Sequence, residues 1–210
     1  MIADIYPRMT GIIQRPAAAK GIGAMRVTRE QAEQNRDRVV EAAATLFRER
    51  GFDGIGVAEL MKSVGLTHGG FYGQFGSKEE LAAEACELAF ERSVDRWKRT
   101  AGENPSGAAQ AIAASYVTRK HVEHPGNGCA AAALAGDIAR QGPRVQEVLA
   151  KGVDDLVEVM AGTLPERTHK ARRRHALANF SAMVGAVMLA RAVGDEELGD
   201  EILDAVRKSI

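Results

Sequence analysis

Residues 57–81 constrain the fold of this chain more than any other stretch, because two short helical patterns meet there at a glycine. The first pattern is an apolar stripe with helical spacing, formed by Val57, Leu60, Met61 and Val64. Gly65 follows directly, and glycine ends helices because it adopts a left-handed backbone conformation without steric cost. The sequence therefore predicts a short helix that ends in a tight turn.

The second pattern predicts a helix that Thr67 caps and that Phe71 and Phe75, four residues apart, anchor to the core. Ser77 then caps a third helix, with Glu80 placed to complete a capping box. The outward positions of the second helix are small or polar: His68, Gly69, Gly70, Tyr72 and Gln74. A helix with so few side chains on its outer face is suited to a DNA groove.

The two adjacent glycines on that face favour a nucleic-acid surface. Each costs about 1 kcal/mol of helix stability relative to alanine, and missing side chains let the backbone approach a duplex closely. Thr67, His68 and Lys78 lie at helix starts, where free N–H groups favour phosphate. Tyr72 can donate its hydroxyl to a phosphate, and Gln74 can reach a phosphate or a base edge. From these residues alone, the alternative is a helix–turn–helix used only for packing.

The same stretch resembles the DNA-binding domain of the TetR family of transcriptional repressors, without a gap from Gly51 to Leu81. The resemblance implies an all-α protein, with an N-terminal three-helix helix-turn-helix DNA-binding domain and a C-terminal helical ligand-binding and dimerisation domain. The matching residues are Gly51-Phe52, Val57, Leu60, Val64-Gly65-Leu66-Thr67, Gly70, Phe71-Tyr72, Phe75 and Ser77-Lys78-Glu79-Glu80-Leu81.

By this resemblance the DNA-contacting positions are Thr67, His68, Gly69, Gly70, Tyr72 and Lys78. Two residues depart from the family pattern. Gly56 stands where a serine or threonine often touches phosphate, so that contact is lost. Gln74 stands where histidine is common, so its contact, to phosphate or base, is less defined.

The rest of the chain divides at its breaks. Residues 1–27 lack helical periodicity, and we expect a disordered arm there, with Met25 as an alternative start and Arg8, Arg15 and Lys20 as minor-groove candidates. Residues 28–80 are expected to form the DNA-binding domain, and residues 81–210 the effector-binding and dimerisation domain. Beyond the segment above, helices are predicted at about 30–50, 77–100, 108–123, 129–140, 143–164, 166–193 and 196–209.

Charge and composition limit the function classes. The net charge is zero, and residues 25–81 hold eight Lys and Arg against nine Asp and Glu. DNA binding must therefore come from the placement of cations, and few phosphate contacts per subunit are expected.

The two cysteines are far apart, which argues against a disulfide framework or a metal site, and no cofactor is expected. No apolar run is long enough to span a membrane, so the cytoplasm is the expected location. The candidate basic residues are Arg26, Arg29, Arg36, Arg38 and Lys78.

The last two predicted helices carry more apolar surface than one subunit can bury. The helix at 166–193 is apolar on more than one face, and the last helix repeats Leu198, Ile202, Val206 and Ile210. We expect a four-helix bundle with two helices from each of two subunits, as the resemblance also implies. Arg172, Arg173 and Arg174 are interpreted as a solvated helix face rather than a second basic patch.

Cys129 follows a Pro-Gly-Asn-Gly turn at a predicted helix start, where the helix dipole favours a reactive thiolate. Gly128-Cys129, Ala131 to Ala135 and Asp137 also resemble, more weakly, a TetR subgroup in which some members sense electrophiles or oxidants. The alternative is a small buried cysteine that packs like alanine. If Cys129 is not the sensor, we expect a small apolar effector among residues 108–165, in a pocket lined by few charged residues.

Together these features predict a dimeric transcriptional regulator rather than an enzyme. It would be a repressor, released from a pseudo-palindromic operator by a small-molecule effector or by modification of Cys129. Two alternatives stay open. An all-helical thiol-dependent enzyme would use Cys129 with His121 or His124. A TetR-like protein that has lost specific DNA binding is compatible with the neutral charge and with Gly56.

Overall fold

The computed structural model describes residues 28–210, and every regular element within them is helical. The all-α fold class is confirmed for these residues, whereas the expected arm at 1–27 and its minor-groove contacts lie outside them. The α-helices in chain order are α1 (Arg29–Arg50), α2 (Val57–Ser63), α3 (Lys78–Glu103), α4 (Ala108–Tyr116), α5 (Arg119–Glu123), α6 (Ala130–Ile138), α7 (Pro143–Ala161), α8 (His169–Ala192) and α9 (Glu196–Ser209). Single 3-10 turns lie at His68–Gly70 and Pro125–Asn127.

Polar caps set several helix starts, as the sequence predicts. The Ser77 hydroxyl accepts a hydrogen bond from the Glu80 N–H at the start of α3. The Glu80 carboxylate does not return to Ser77. It accepts from the N–H of Gly76 at 3.0 Å, one residue earlier than in the expected capping box. Side-chain caps of the same kind begin four other helices, at Thr28, Thr118, Thr168 and Asp195.

Two predicted helices differ from the structure. The one expected after Thr67 is a single 3-10 turn at His68–Gly70, followed by turn residues up to Gln74. Gly69, Gly70 and Gly73 explain this, because three glycines in five residues remove the helix propensity that a full α-helix needs.

The helix predicted at 108–123 breaks into α4 and α5 at Val117 and Thr118. The Thr118 hydroxyl caps α5 by accepting from the His121 N–H, and the His121 ring binds the carbonyl of Tyr116 at 2.8 Å. Side chains thus satisfy backbone groups that a continuous helix would have paired.

Buried apolar side chains form two cores. The first joins α1, α2 and the first half of α3, and it also takes in Leu134, Ile138 and Val145 from α6 and α7. The second joins the later part of α3 with α4, α6, α7, α8 and α9. Because α3 belongs to both, the region around residues 67–78 is attached to the second core by a continuous helix.

Helices α8 and α9 leave large apolar side chains on the surface: Leu177, Met188, Leu189, Val193 and Leu198. Within the predicted α9 repeat, however, Ile202, Val206 and Ile210 pack against the second core of their own subunit. On another part of α8, Arg173 pairs with Asp154 at 2.5 Å and with Glu158. These ion pairs join α8 to α7. None of the helices in residues 28–210 is long and apolar enough to cross a membrane.

Candidate nucleic-acid interface and second-core cavity

The turn between α2 and the 3-10 turn at His68–Gly70 is built on Gly65. Its φ of 74° lies in the left-handed region, which glycine adopts without strain. The Gly65 N–H donates to the Lys62 carbonyl at 3.0 Å, and the Leu66 N–H to the Met61 carbonyl at 2.9 Å. This pair of bonds is a Schellman motif, which satisfies the free carbonyls at the end of α2 and turns the chain sharply. Arg38 from α1 adds a bond of 2.6 Å to the Val64 carbonyl.

Beyond the turn, the predicted candidates share one exposed segment. Phe71 and Phe75 are each 1% exposed and their rings stack with centroids 5.4 Å apart, which fixes the segment to the first core. Tyr72, between them in sequence, is 66% exposed, and its ring contacts His68 edge-on. Thr67, His68, Gly69, Gly70 and Tyr72 are exposed, while Gln74 and Lys78 are half-buried. We call this set the recognition face.

The glycines of the recognition face have no role in the packing of the described residues. A Cβ placed on Gly69 would meet nothing within 4 Å, and one on Gly70 would make only ordinary contacts of 3.7 Å. Neither glycine has a positive φ. Alanine would therefore fit at both positions and would reduce the conformational entropy of the unfolded chain. Their absence of side chains fits the close approach of an external surface.

Most of the predicted basic cluster is engaged within the protein. Arg36 binds Glu84 at 2.6 Å and lies 4.8 Å above the ring of Phe75. Arg38 holds the Val64 carbonyl, and Arg29 pairs with Glu33 at 3.3 Å. Arg26 lies outside the described residues. Lys78 has no carboxylate within 4.0 Å among residues 28–210, which leaves it available for a phosphate.

Gln74 fits its predicted contact less well. Its side-chain carbonyl oxygen is buried and has no hydrogen-bond partner among residues 28–210. A contact to phosphate or base through this oxygen would require the side chain to rotate outward, so Gln74 remains a weaker candidate than Tyr72 or Lys78.

A cavity of about 280 Å³ opens between α3, α4, α5 and the turn at Pro125–Asn127. Its walls include the rings of Trp97 and Tyr116, whose centroids lie 5.8 Å apart. Arg96 and Lys120 also line it, as do His121 and His124. The lining thus has few charged side chains, as expected, but the two that it has are both cations, one from α3 and one from α5.

The His121 ring lines this cavity and is hydrogen-bonded to the backbone of Cys129. Its Nδ1–H donates to the Tyr116 carbonyl at 2.8 Å, and its Nε2 accepts from the Cys129 backbone N–H at 3.0 Å. Burial lowers the pKa of His121 to about 4, so the ring is neutral at pH 7. Cys129 is 1% exposed and its thiol lies beside Tyr116, whose pKa burial raises well above 10. The predicted sensor cysteine is therefore enclosed.

Arg48 connects this region to the first core, a link that the sequence does not reveal. Although it belongs to α1, it is only 8% exposed and donates to the carbonyls of Gly126 and Gly128. Burial lowers the pKa of Arg48 below its usual value. A buried guanidinium bound to backbone carbonyls resists displacement, since removal leaves several polar groups unpaired. The turn that lines the cavity is thus bound directly to α1.

Arg191 of α8, like Arg48, binds backbone carbonyls of other elements with its guanidinium. It donates to the carbonyls of His121, Val122 and Ala132 at 2.9 to 3.1 Å, and so joins α5 and α6 to α8. Sequence reasoning missed this residue because no local pattern marks an arginine whose partners lie 59 to 70 residues away.

Comparisons with known proteins agree with this geometry. Residues 39–85 match the family model of bacterial regulatory proteins of the tetR family. The chain is 31% identical over 71 residues to IcaR of Staphylococcus epidermidis, an HTH-type negative transcriptional regulator of the biofilm operon icaADBC. That match covers 34% of this chain and 38% of IcaR, so it spans little more than a third of the relative's length.

Solved structures extend the likeness over most of the chain. A TetR transcriptional regulator from Chloroflexus aurantiacus is 26% identical, with a TM-score of 0.69, over 86% of this chain and 96% of that one. The reduced form of Escherichia coli NemR has a TM-score of 0.68 over 83% and 96% of the two chains, and at 19% identity it shows the fold alone. Residues 39–85 therefore form a DNA-binding domain of the tetR family type, within a helical fold that this chain shares with solved TetR regulators.

Proposed function

We propose that this chain is a DNA-binding transcriptional repressor that acts in the cytoplasm. The observation that carries the proposal is the recognition face, where Gly69 and Gly70 are exposed and serve no internal packing. Pressed into a major groove, this face brings the Tyr72 hydroxyl and the Lys78 ammonium to backbone phosphates. Thr67 and His68 lie at the same edge. The negative regulation named for IcaR favours a repressor over an activator.

We propose further that the active form is a homodimer. Leu189 of α8 is 56% exposed and Leu198 of α9 is 43% exposed, and three more apolar side chains of α8 and its C-terminal end share that surface. A second copy packed on α8 and α9 would remove this surface from water. Two recognition faces would then meet successive major grooves, about 34 Å apart on a pseudo-palindromic operator.

Release from DNA is proposed to start at the cavity. A ligand there lies against Gly128 and Asn127, and the carbonyl of Gly128 binds Arg48 of α1. Any shift of this turn must either break that buried bond or move α1 with it. A ligand that binds one arrangement better than the other therefore shifts the population of DNA-competent molecules.

Modification of Cys129 is a second proposed trigger. A group added to its sulfur would enter a space already filled by Tyr116 and the second core. The thiol is enclosed, so a reagent reaches it only when this wall opens. We therefore rank ligand binding ahead of cysteine modification.

The test of DNA binding is selection of bound duplexes from a random pool, followed by affinity measurements on the enriched sequence. Tyr72→Ala and Lys78→Ala should each weaken operator binding by about tenfold or more, since each removes a bond to a charged phosphate. Lys98→Ala, an exposed lysine further along α3, is the matched control and should bind normally. Analytical ultracentrifugation should give a dimer for all four proteins.

Two results would contradict the proposal. A pool that yields no enriched sequence would indicate a TetR-like protein without specific DNA binding. Enrichment with undiminished affinity in both Tyr72→Ala and Lys78→Ala would show that another surface binds DNA.

The thiol-enzyme alternative is not favoured by the geometry. His121 uses its Nε2 to accept from the backbone N–H of Cys129, so no lone pair is free to activate the thiol. Its pKa of about 4 also makes it a poor base. The matched relatives are named as regulators.

A further inference from the structure

The second-core cavity carries two cations that no carboxylate neutralises within residues 28–210, although Arg96 donates to the Ser93 hydroxyl at 3.3 Å. Arg96 from α3 and Lys120 from α5 both line it, and neither has a carboxylate within 4.0 Å among residues 28–210. Arg92, Arg119, Arg140 and Arg207 are each paired with Asp or Glu, whereas the exposed Arg99, Arg144 and Arg174 resemble Arg96 in having no such pair among residues 28–210. Within the described part of the chain, no Asp or Glu lines the cavity. Two uncompensated cations at the edge of one cavity form a site for an anion.

The inner wall adds aromatic surface and a hydrogen-bond donor. Trp97 is 2% exposed and packs edge-on against Tyr116, which is 5% exposed. The Tyr116 hydroxyl oxygen is buried and has no hydrogen-bond partner among the described residues. A buried hydroxyl without a partner is uncommon, because leaving it unpaired is unfavourable. A ligand oxygen that accepts a hydrogen bond from it would supply the missing partner.

We infer that this cavity binds a small planar aromatic carboxylate, with its charged end toward Arg96 and Lys120 and its ring against Trp97 and Tyr116. The volume of about 280 Å³ lies just below the usual range for small-molecule sites, so the ligand is compact. The inference rests on the proposed function only where it takes this ligand as the effector.

Aromatic walls can also attract a cation, but the charges here oppose one. A cation over an aromatic ring gains a modest attraction. Repulsion from a full positive charge close by is larger under partly buried conditions, and two such charges edge this cavity. The sign of the ligand charge is thus set by Arg96 and Lys120.

Trp97 makes the inference directly measurable, because it is the only tryptophan in the chain. Its fluorescence, excited where the probes do not absorb, should change saturably on titration with benzoate. Benzamide and benzamidine have nearly the same shape but are neutral and cationic. We expect benzoate to bind at least about tenfold more tightly than benzamide, and benzamidine to give no saturable change up to about 10 mM.

Variants locate the site. Arg96→Gln and Lys120→Gln should each weaken benzoate binding by about tenfold, and both residues are exposed, so the fold should survive the changes. Lys98→Gln changes the same charge on α3 outside the lining and should leave binding unchanged. Equal affinity for benzoate and benzamide, tighter binding of benzamidine, no saturation by benzoate, or unchanged binding in both cavity variants would each overturn the inference.

The measurement needs no DNA, so its outcome is separate from that of the proposed function. Benzoate binding in a protein that enriches no operator would uphold the anion site and refute the repressor. Operator binding in a protein that ignores benzoate would do the reverse.

Discussion

The recognition face and the turn at residues 125–128 both depend on paired glycines, but for opposite reasons. Gly69 and Gly70 have room beside them, whereas a Cβ on Gly126 would strike the Glu49 side chain and one on Gly128 would strike the His121 ring. Glu49 is exposed and its side chain can rotate away, but the His121 ring is fixed, so Gly128 is required by a contact inside the subunit. The glycines of the recognition face are not, so they are better explained by a surface outside it.

The largest expected effect is a fall in the free energy of unfolding at acid pH, caused by the His121 ring beside the turn. Its folded pKa of about 4 is below its ordinary value of 6.5, so between these values the unfolded chain takes up a proton that the folded chain excludes. The free energy of unfolding should therefore be full above pH 6.5 and fall by up to about 3 kcal/mol as the pH drops to 4. Denaturant melts across this window measure the loss.

His121→Asn should remove most of that slope, whatever its stability at neutral pH. His124→Gln, at an exposed histidine on the same segment, should retain it. A proton resonance of the His121 ring that titrates near 6.5 in the native protein would contradict the assignment.

The next effect sharpens the contrast between the glycines. Gly128→Ala forces a methyl group into the His121 ring, which also accepts the Cys129 N–H, and should destabilise the fold by about 1–3 kcal/mol. Gly136→Ala, at an exposed position in α6 with nothing within 4 Å, should instead stabilise it by about 1 kcal/mol. Thermal melts of the two variants should shift in opposite directions; a shift in the same direction would remove the distinction.

The smallest effect on stability is expected for Gly69→Ala. The sign of this change tests whether the glycine is needed for folding or for DNA binding. The variant should gain about 0.4–1 kcal/mol of stability, since alanine fits the space and restricts the unfolded chain. Its operator affinity should fall by about tenfold, because the new methyl group holds the backbone away from the duplex. Gly136→Ala provides the control with added stability and unaltered DNA binding. A Gly69→Ala protein that binds its operator normally would break the comparison.

Sequence reasoning succeeded where the signals are local. The apolar stripe of α2, the glycine that ends it and the two phenylalanines that anchor the recognition face follow from spacing of a few residues. The helix predicted after Thr67 was too long, because Gly69, Gly70 and Gly73 reduce the segment to one 3-10 turn. The break between α4 and α5 was missed because it depends on the fit of the His121 ring against the Tyr116 carbonyl.

The sequence predicts a pocket among residues 108–165, but neither its cationic edge nor its link to α1, for a different reason. Arg96 and Lys120 come from different helices, and Arg48 reaches carbonyls 78 and 80 residues away. Such contacts depend on how helices pack, which helical periodicity does not specify. The reactivity expected of Cys129 came from its position at a helix start, and no periodic pattern could reveal that Tyr116 and His121 enclose it.

Because α3 is one continuous helix, a small rotation about its Trp97 end would displace its other end. Lys78 begins it and Trp97 lies nineteen residues further on, about 28 Å along the axis. If the Trp97 end stays fixed while the helix axis rotates by about 5°, Lys78 moves by about 2 to 3 Å. This displacement is close to the donor–acceptor distance of a hydrogen bond, so a contact from Lys78 to a phosphate would be broken. In a symmetric dimer both recognition faces would be displaced in the same way. One ligand bound in each subunit would then be enough to change the distance between the two faces.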